Sequence, residues 1–163
     1  MILRTAELPR DGEALLAIVN DAILNTTAWY EYEPWDLGRL TSWHDAKMVD
    51  GWPLIVADVN GTALGFASFG PFRTRPAYAR TVEHSVYVAA GARGRGIGRQ
   101  LLEAIVAEAR SRGHHAMVGG VDAANEGSLA FHRTAGFEEV GRLREVGWKF
   151  GRWLDLVFMQ KLL

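Results

Sequence analysis

Apolar and polar positions along this chain switch between a period of two and a helical period, and the switches mark its elements. Ile2 to Ala6 can form a short strand, which Pro9-Arg10-Asp11-Gly12 is expected to break. From Glu13 to Leu24 the residues Leu15, Leu16, Ile18, Val19 and Ile23 make a broad helical stripe, ending near Asn25-Thr26-Thr27. Trp29-Tyr30-Glu31-Tyr32-Glu33-Pro34-Trp35 is then an aromatic and acidic loop, because Pro34 stops any regular element through it. Its rings would either wall a small-molecule pocket or cap the core. From Asp36 a second helix runs to about Val49, with Leu37, Leu40, Trp43 and then Ala46 and Lys47 at helical spacing, and Gly51 ends it.

Pro53 to Asp58 and Ala63 to Phe69 read as strands joined by the tight hairpin signal Asn60-Gly61, and Gly70-Pro71 interrupts the pattern. After the irregular Arg73-Thr74-Arg75-Pro76, the stretch from Glu83 to Val88 alternates as a central strand. Ile97 to about Arg112 follows as a helix whose face is Ile97, Leu101, Leu102, Ile105, Val106 and Ala109, closed by Gly113. Ala116 to Val121 is a short interior strand, Asn125 to Ala135 a helix closed by Gly136, and Phe137 to Val140 starts another strand. The tail alternates through Gly147 to Trp153 and finishes in Leu154 to Met159, as a closing hairpin would. The order is strand, two helices, three strands, helix, strand, helix, two strands. It predicts a mixed α/β (α+β-like) sheet covered on both faces. With no repeat, linker or low-complexity tract, residues 1–163 are expected to form a single domain.

The most informative stretch is the strand-loop-helix junction, where Arg93 to Arg99 holds three glycines and three arginines in seven residues. Glycines let backbone N–H groups approach an anion, the helix start adds free donors and its positive dipole end, and arginines add charge. This is a phosphate cradle. A Walker loop would require Gly-Lys-Ser/Thr, and a dinucleotide fingerprint G-x-G-x-x-G, whereas Gly94-x-Gly96-x-Gly98 is neither.

Composition narrows the possibilities further. A formal charge of −1 over 163 residues argues against a nucleic-acid partner. The absence of cysteine excludes disulfides, thiolate metal sites and an acyl-cysteine intermediate, so an acyl group would pass directly from donor to acceptor. No His/Asp/Glu cluster has metal-ligand spacing, and no metal is expected. The start of the chain lacks a signal-peptide core and no segment has the apolar length of a membrane span, so a cytoplasmic protein with no membrane association is expected.

Arg93-x-x-Gly96-x-Gly98 resembles the Q/R-x-x-G-x-G/A signature with which the GNAT acetyltransferase superfamily holds the pyrophosphate of acetyl-CoA. The element order is similar to the GNAT fold along essentially the whole chain. The resemblance implies a central twisted mixed sheet of about six to seven strands flanked by about four helices. It further implies that the strand before the loop splays from its parallel neighbour. Val86 and Val88, with Tyr87 between them, would meet the pantetheine arm of acetyl-CoA through their backbones. Arg93, Gly94, Arg95, Gly96, Ile97, Gly98 and Arg99 would surround the pyrophosphate, and Asn125 and Ser128 would face the cofactor cleft from the later helix. Three further motifs, Thr81 to Val88, Phe131-His132-Arg133-Thr134-Ala135-Gly136-Phe137 and Gly147 to Asp155, are similar to the phosphinothricin and methionine sulfoximine/sulfone N-acetyltransferases. That family implies acetyl transfer to the α-amine of a small amino-acid analogue.

The residues can be matched to that chemistry. An α-ammonium must lose a proton before it attacks a thioester, and Glu83, at the start of the central strand, is the candidate base. Its side chain shares a face with Ser85 and Tyr87, while His84 points to the other face and reads first as structural. Backbone N–H groups near Val86 can serve a developing oxyanion. Where many GNAT enzymes carry a tyrosine, this chain has His132, as the phosphinothricin-type family does, and the resemblance implies a catalytic histidine. Asn125, Ser128 and His132 fall on one helical face. Arg73 and Arg75 are candidates for the substrate's carboxylate and its second polar end, since guanidinium binds planar oxyanions bidentately. Thr74, Glu83, His84 and Ser85 complete the candidate substrate-binding set. Lys149 and Arg152 sit in the tail hairpin, which would close the pocket or build a homodimer, with Trp148 and Trp153 as buried anchors. Two other functions fit the same motifs: acetylation of another small amine or of a protein amine, and a non-catalytic acetyl-CoA sensor.

Overall fold

The computed structural model describes all 163 residues. It has strands β1 (Ile2–Thr5), β2 (Leu54–Val59), β3 (Thr62–Pro71), β4 (Thr81–Val88), β5 (Ala116–Asp122), β6 (Glu138–Lys149) and β7 (Arg152–Leu162). Four helices, α1 (Leu8–Asn25), α2 (Leu37–Val49), α3 (Ile97–Ser111) and α4 (Glu126–Thr134), complete it. The strands form one sheet in the order β1-β2-β3-β4-β5-β7-β6, antiparallel except for the β4–β5 pair.

Each face of the sheet has its own core. α3 packs Leu101, Leu102 and Ile105 on Ala67, Phe69 and Met117, using the six apolar positions expected of it. α1 packs Leu15, Ile18 and Val19, with Leu40 of α2, on Val56 and Phe66 of the opposite face. α2 begins on Asp36, whose carboxylate accepts from Arg39 N at 2.8 Å. No helix is long and apolar enough to cross a membrane.

Three expectations need correction. The first strand ends at Thr5, but Pro9 to Gly12 are not a break ahead of the helix; α1 already starts at Leu8, because a first-turn proline gives up an N–H that has no helical acceptor. Asp11 fixes that start, accepting from Glu7 N at 2.8 Å and pairing with Arg4 at 2.7 Å. Gly70-Pro71 likewise remain in β3, opposite Glu83 and Val82, since a strand end tolerates proline. Trp148 and Trp153 are not buried anchors in the chain. They face each other across β6–β7 at 4.9 Å and are 47% and 58% exposed. Leu156 of β7 pairs with Asp122, the last residue of β5, so the distal hairpin projects past its neighbour.

The tail is one continuous hairpin. Its two register shifts surround Val140 and the segment Arg144 to Val146, and Phe150 and Gly151 turn it with φ of 53° and 72°.

For function the important irregularity is at the centre. β4 and β5 pair only at Thr81, Val82 and Glu83. Beyond that point β4 stays with β3 as far as Val88, and β5 stays with β7 as far as Asp122. The two strands part, and a gap opens through the sheet.

Candidate active site

The gap leads to a cavity of about 1070 Å³, lined from both faces of the sheet. At one end lies the glycine loop. Gly94 and Gly96 hold φ of 76° and 79°, in the left-handed region that suits glycine. Gly96 caps α3 without a side-chain hydrogen bond, and the first helical bond of α3 runs from Gln100 N to Gly96 O. The amides of Ile97, Gly98 and Arg99 therefore have no acceptor in the helix. Together with the cavity-lining Arg93 and Arg99, they form a donor set that suits a pyrophosphate.

The arginines of the loop are not equivalent. Arg93 donates to Val88 O at 3.2 Å and pairs with Asp21 at 2.6 Å, so it braces the strand end against α1. Arg99 pairs with Glu103 at 2.8 Å. Arg95 is exposed and lies outside the cavity lining.

β4 supplies the middle of the cavity. Val86, Tyr87 and Val88 line it, with Asn125 and Ser128 from the start of α4. Asn125 accepts from Ser128 N at 3.0 Å, a capping bond that orients both toward the gap. On the α1/α2 face, Glu83, Ser85 and Tyr87 stand in one row beside Gly70, Ser68 and Phe66 of β3. Burial pushes the Glu83 carboxyl above its ordinary value, against a smaller opposing pull from the charge of Arg73.

On the α3/α4 face two histidines stack, His84 and His132, with ring centroids 5.1 Å apart. His132 Nδ1 lies 2.7 Å from Ser128 O, which accepts only, so Nδ1 carries the proton. Its Nε2, and both nitrogens of His84, are buried without a partner. Burial lowers the His132 pKa, against a smaller opposing effect of the Ser128 hydrogen bond. Burial, and then the neighbouring His132, bring His84 down to about 3. Both rings are thus neutral at ordinary pH.

Gly119 and Gly120 of β5 make these positions possible. A Cβ at Gly119 would come within 2.5 Å of His84 Nε2 and 3.1 Å of His132 Nε2. One at Gly120 would meet Leu156 at 3.1 Å and Glu83 Oε1 at 3.6 Å. Glu83 and His132 consequently stand on opposite faces of the sheet, one on each side of the gap.

The predicted substrate arginines lie at the margin. Arg73, Thr74 and Arg75 are exposed and do not line the cavity. Arg73 stacks on Phe72, 5.1 Å from the ring centroid, near enough to Glu83 for its charge to act there.

The aromatic loop does both things its sequence allowed. Trp29 and Tyr30 line the cavity, while Trp35 is buried in the α1/α2 core. The tail hairpin holds this loop in place. Lys149, itself buried, donates from Nζ to Trp29 O; Tyr32 OH donates to Trp148 O at 2.6 Å. Gly147 admits the ring of Tyr30, which a Cβ there would meet at 2.8 Å. Arg152 reaches Asp122 at the cavity wall, 3.0 Å away. Burial works against the Asp122 carboxylate, yet donors from Thr27, Ala124 and Arg152 keep its pKa below the ordinary value. Sequence reasoning missed Asp122 and gave Lys47 no role beyond its helix. The glycine pair in a buried strand was a usable signal for close approach.

The chain matches the Acetyltransferase (GNAT) family over residues 19–137. It is 47% identical to the L-methionine sulfoximine/L-methionine sulfone acetyltransferase of Pseudomonas aeruginosa, over 95% of this chain and 88% of that one. Among solved structures, the ribosomal-protein-alanine N-acetyltransferase of Brucella melitensis superimposes with a TM-score of 0.97 at 48% identity, covering 100% of both chains. A phosphinothricin acetyltransferase of Sinorhizobium meliloti, in complex with acetyl-CoA, gives 0.94 at 36% identity over 99% of this chain and 88% of that one.

Proposed function

Because the chain belongs to the GNAT family of acetyltransferases, we propose that it acetylates the α-amine of a small amino-acid analogue, of the methionine sulfone, methionine sulfoximine or phosphinothricin type. The observation that carries this reading is the β4–β5 gap, which sets a part-buried carboxyl beside strand backbone that β5 leaves unpaired.

Acetyl-CoA supplies an activated thioester and a thiol leaving group. The amides from Gly94 to Arg99 would hold its pyrophosphate, and the backbone of Val86 and Val88 its arm, with Asn125 and Ser128 opposite. Glu83 is the general base: its raised pKa brings it nearer working pH while leaving it able to take a proton from the α-ammonium. A backbone N–H beside Val86 faces the position where negative charge develops. His132 offers Nε2 as a free acceptor from the other side of the gap, and serves as the second proton-handling group by taking the second amine proton as the amide forms and passing it to the departing thiolate. Arg73, whose charge reaches Glu83 from the margin of the cavity, takes the carboxylate bonded to the same carbon as the amine. We place the enzyme in the cytoplasm and make it a two-fold dimer through the exposed apolar rows of β6 and β7.

The likeness to the ribosomal-protein-alanine acetyltransferase favours a protein amine as the second reading. Thiol release from acetyl-CoA separates the two, using methionine sulfone, methionine sulfoximine, phosphinothricin and an alanine-initiated peptide as acceptors. Release with the three amino-acid analogues is expected. Release with the peptide alone would install the second reading, and tight acetyl-CoA binding with no release would make the protein a sensor.

A further inference from the structure

Lys47 sits in the last turn of α2, one turn beyond Trp43, and both side chains line the cavity on the Glu83 face. Its Nζ lies 5.3 Å from the Trp43 ring centroid and makes one long hydrogen bond, 3.4 Å to Phe69 O. No carboxylate pairs with it. An ammonium carries three donors, so most of the hydrogen-bonding capacity of Lys47 is unused. The other two lysines differ, since Lys149 and Lys161 donate closely to Trp29 O and Ala135 O. Burial alone lowers the Lys47 pKa, with nothing in the chain acting against it.

The position of this cation along the cavity determines what it can meet. Phe69 and Gly70 of β3 pair with His84 and Glu83, while Phe66 pairs with Tyr87. The α2 wall therefore stands over β3, beside the row that holds Glu83 and Ser85. A ligand with its amine at Glu83 and its carboxylate at Arg73 extends its side chain over β3 toward Trp43 and Lys47. There it finds an indole face next to a cation with free donors. That combination suits a group bearing both a methyl and hydrogen-bond-accepting oxygens.

We propose that Lys47 is the specificity-determining residue for the far end of the substrate, donating from Nζ to the oxygens of a side-chain sulfone, sulfoximine or phosphinate while Trp43 packs its carbon atoms. This rests on the small amino-acid function proposed above and gives the second polar end of the substrate a partner among the side chains that line the cavity, which Arg75 does not.

Methionine sulfone and methionine differ only in those oxygens, so their kcat/KM ratio isolates the contact. The ratio is measured for the wild type, Lys47→Met and Lys47→Arg. A charge-assisted hydrogen bond predicts that Lys47→Met lowers the sulfone-over-methionine ratio about 10- to 100-fold, with partial recovery in Lys47→Arg. An equal fall for both amines, or a ratio that stays at the wild-type value, would overturn the assignment. A wild-type protein that acetylates neither amine removes the proposed function itself, and the role of Lys47 with it.

Discussion

Two residues one position apart on β4 show how burial divides the work. Glu83 is part-buried and its pKa is raised, which suits a group that must hold and release a proton. His84 is buried on the other face and held neutral, which suits a ring that braces His132. The cost of burying His84 appears in acid. The unfolded chain binds a proton at this imidazole below its ordinary value of 6.5, whereas the folded chain does so only near 3. The unfolded state thus binds more protons between those limits, and stability is fully present above 6.5 and falls as pH drops toward 3. One such proton gives a slope of up to about 1.4 kcal/mol per pH unit. His84→Phe should lose about one proton's worth of that slope in urea midpoints taken between pH 7 and 4. A variant as acid-sensitive as the wild type would show that His84 is not the group responsible.

Among the elements, those with strong local signals were legible in the sequence. The α3 stripe and the Asn60-Gly61 turn follow from periodicity and from φ values that favour glycine and asparagine. Pro9 and Pro71 misled because proline breaks an element only in its interior, and both stand at ends. The bulged course of β6 was hidden because each register shift resets the alternation. The exposed face of the β6–β7 hairpin is the element on which the proposed dimer depends: Trp148, Phe150 and Trp153 are all exposed on the single chain. Light scattering should give the mass of two chains for the wild type, and Trp153→Glu should move it toward one, since a carboxylate would be desolvated in that contact. A wild-type monomer would contradict the dimer.

At the scale of the whole molecule, the site exists because two strands part. The glycine loop, the β4 row and the α4 face were readable because each lies within one element. The substrate side was not. Lys47 and Asp122 meet the cavity through α2 and β5, far apart in the chain, and no local pattern relates them. Arg73 and Arg75 were legible as charges but not as the margin of the cavity. The fold holds Glu83 on one side of the gap and His132 on the other, with strand backbone between them. The proposed step at this gap is transfer of a proton from the attacking amine to Glu83. It is tested by the turnover of Glu83→Gln with methionine sulfone at saturating acetyl-CoA near neutral pH, beside the acetyl-CoA Kd of the same variant. Turnover should fall at least about 100-fold while Kd stays at the wild-type value; wild-type turnover would remove Glu83 from the role of base.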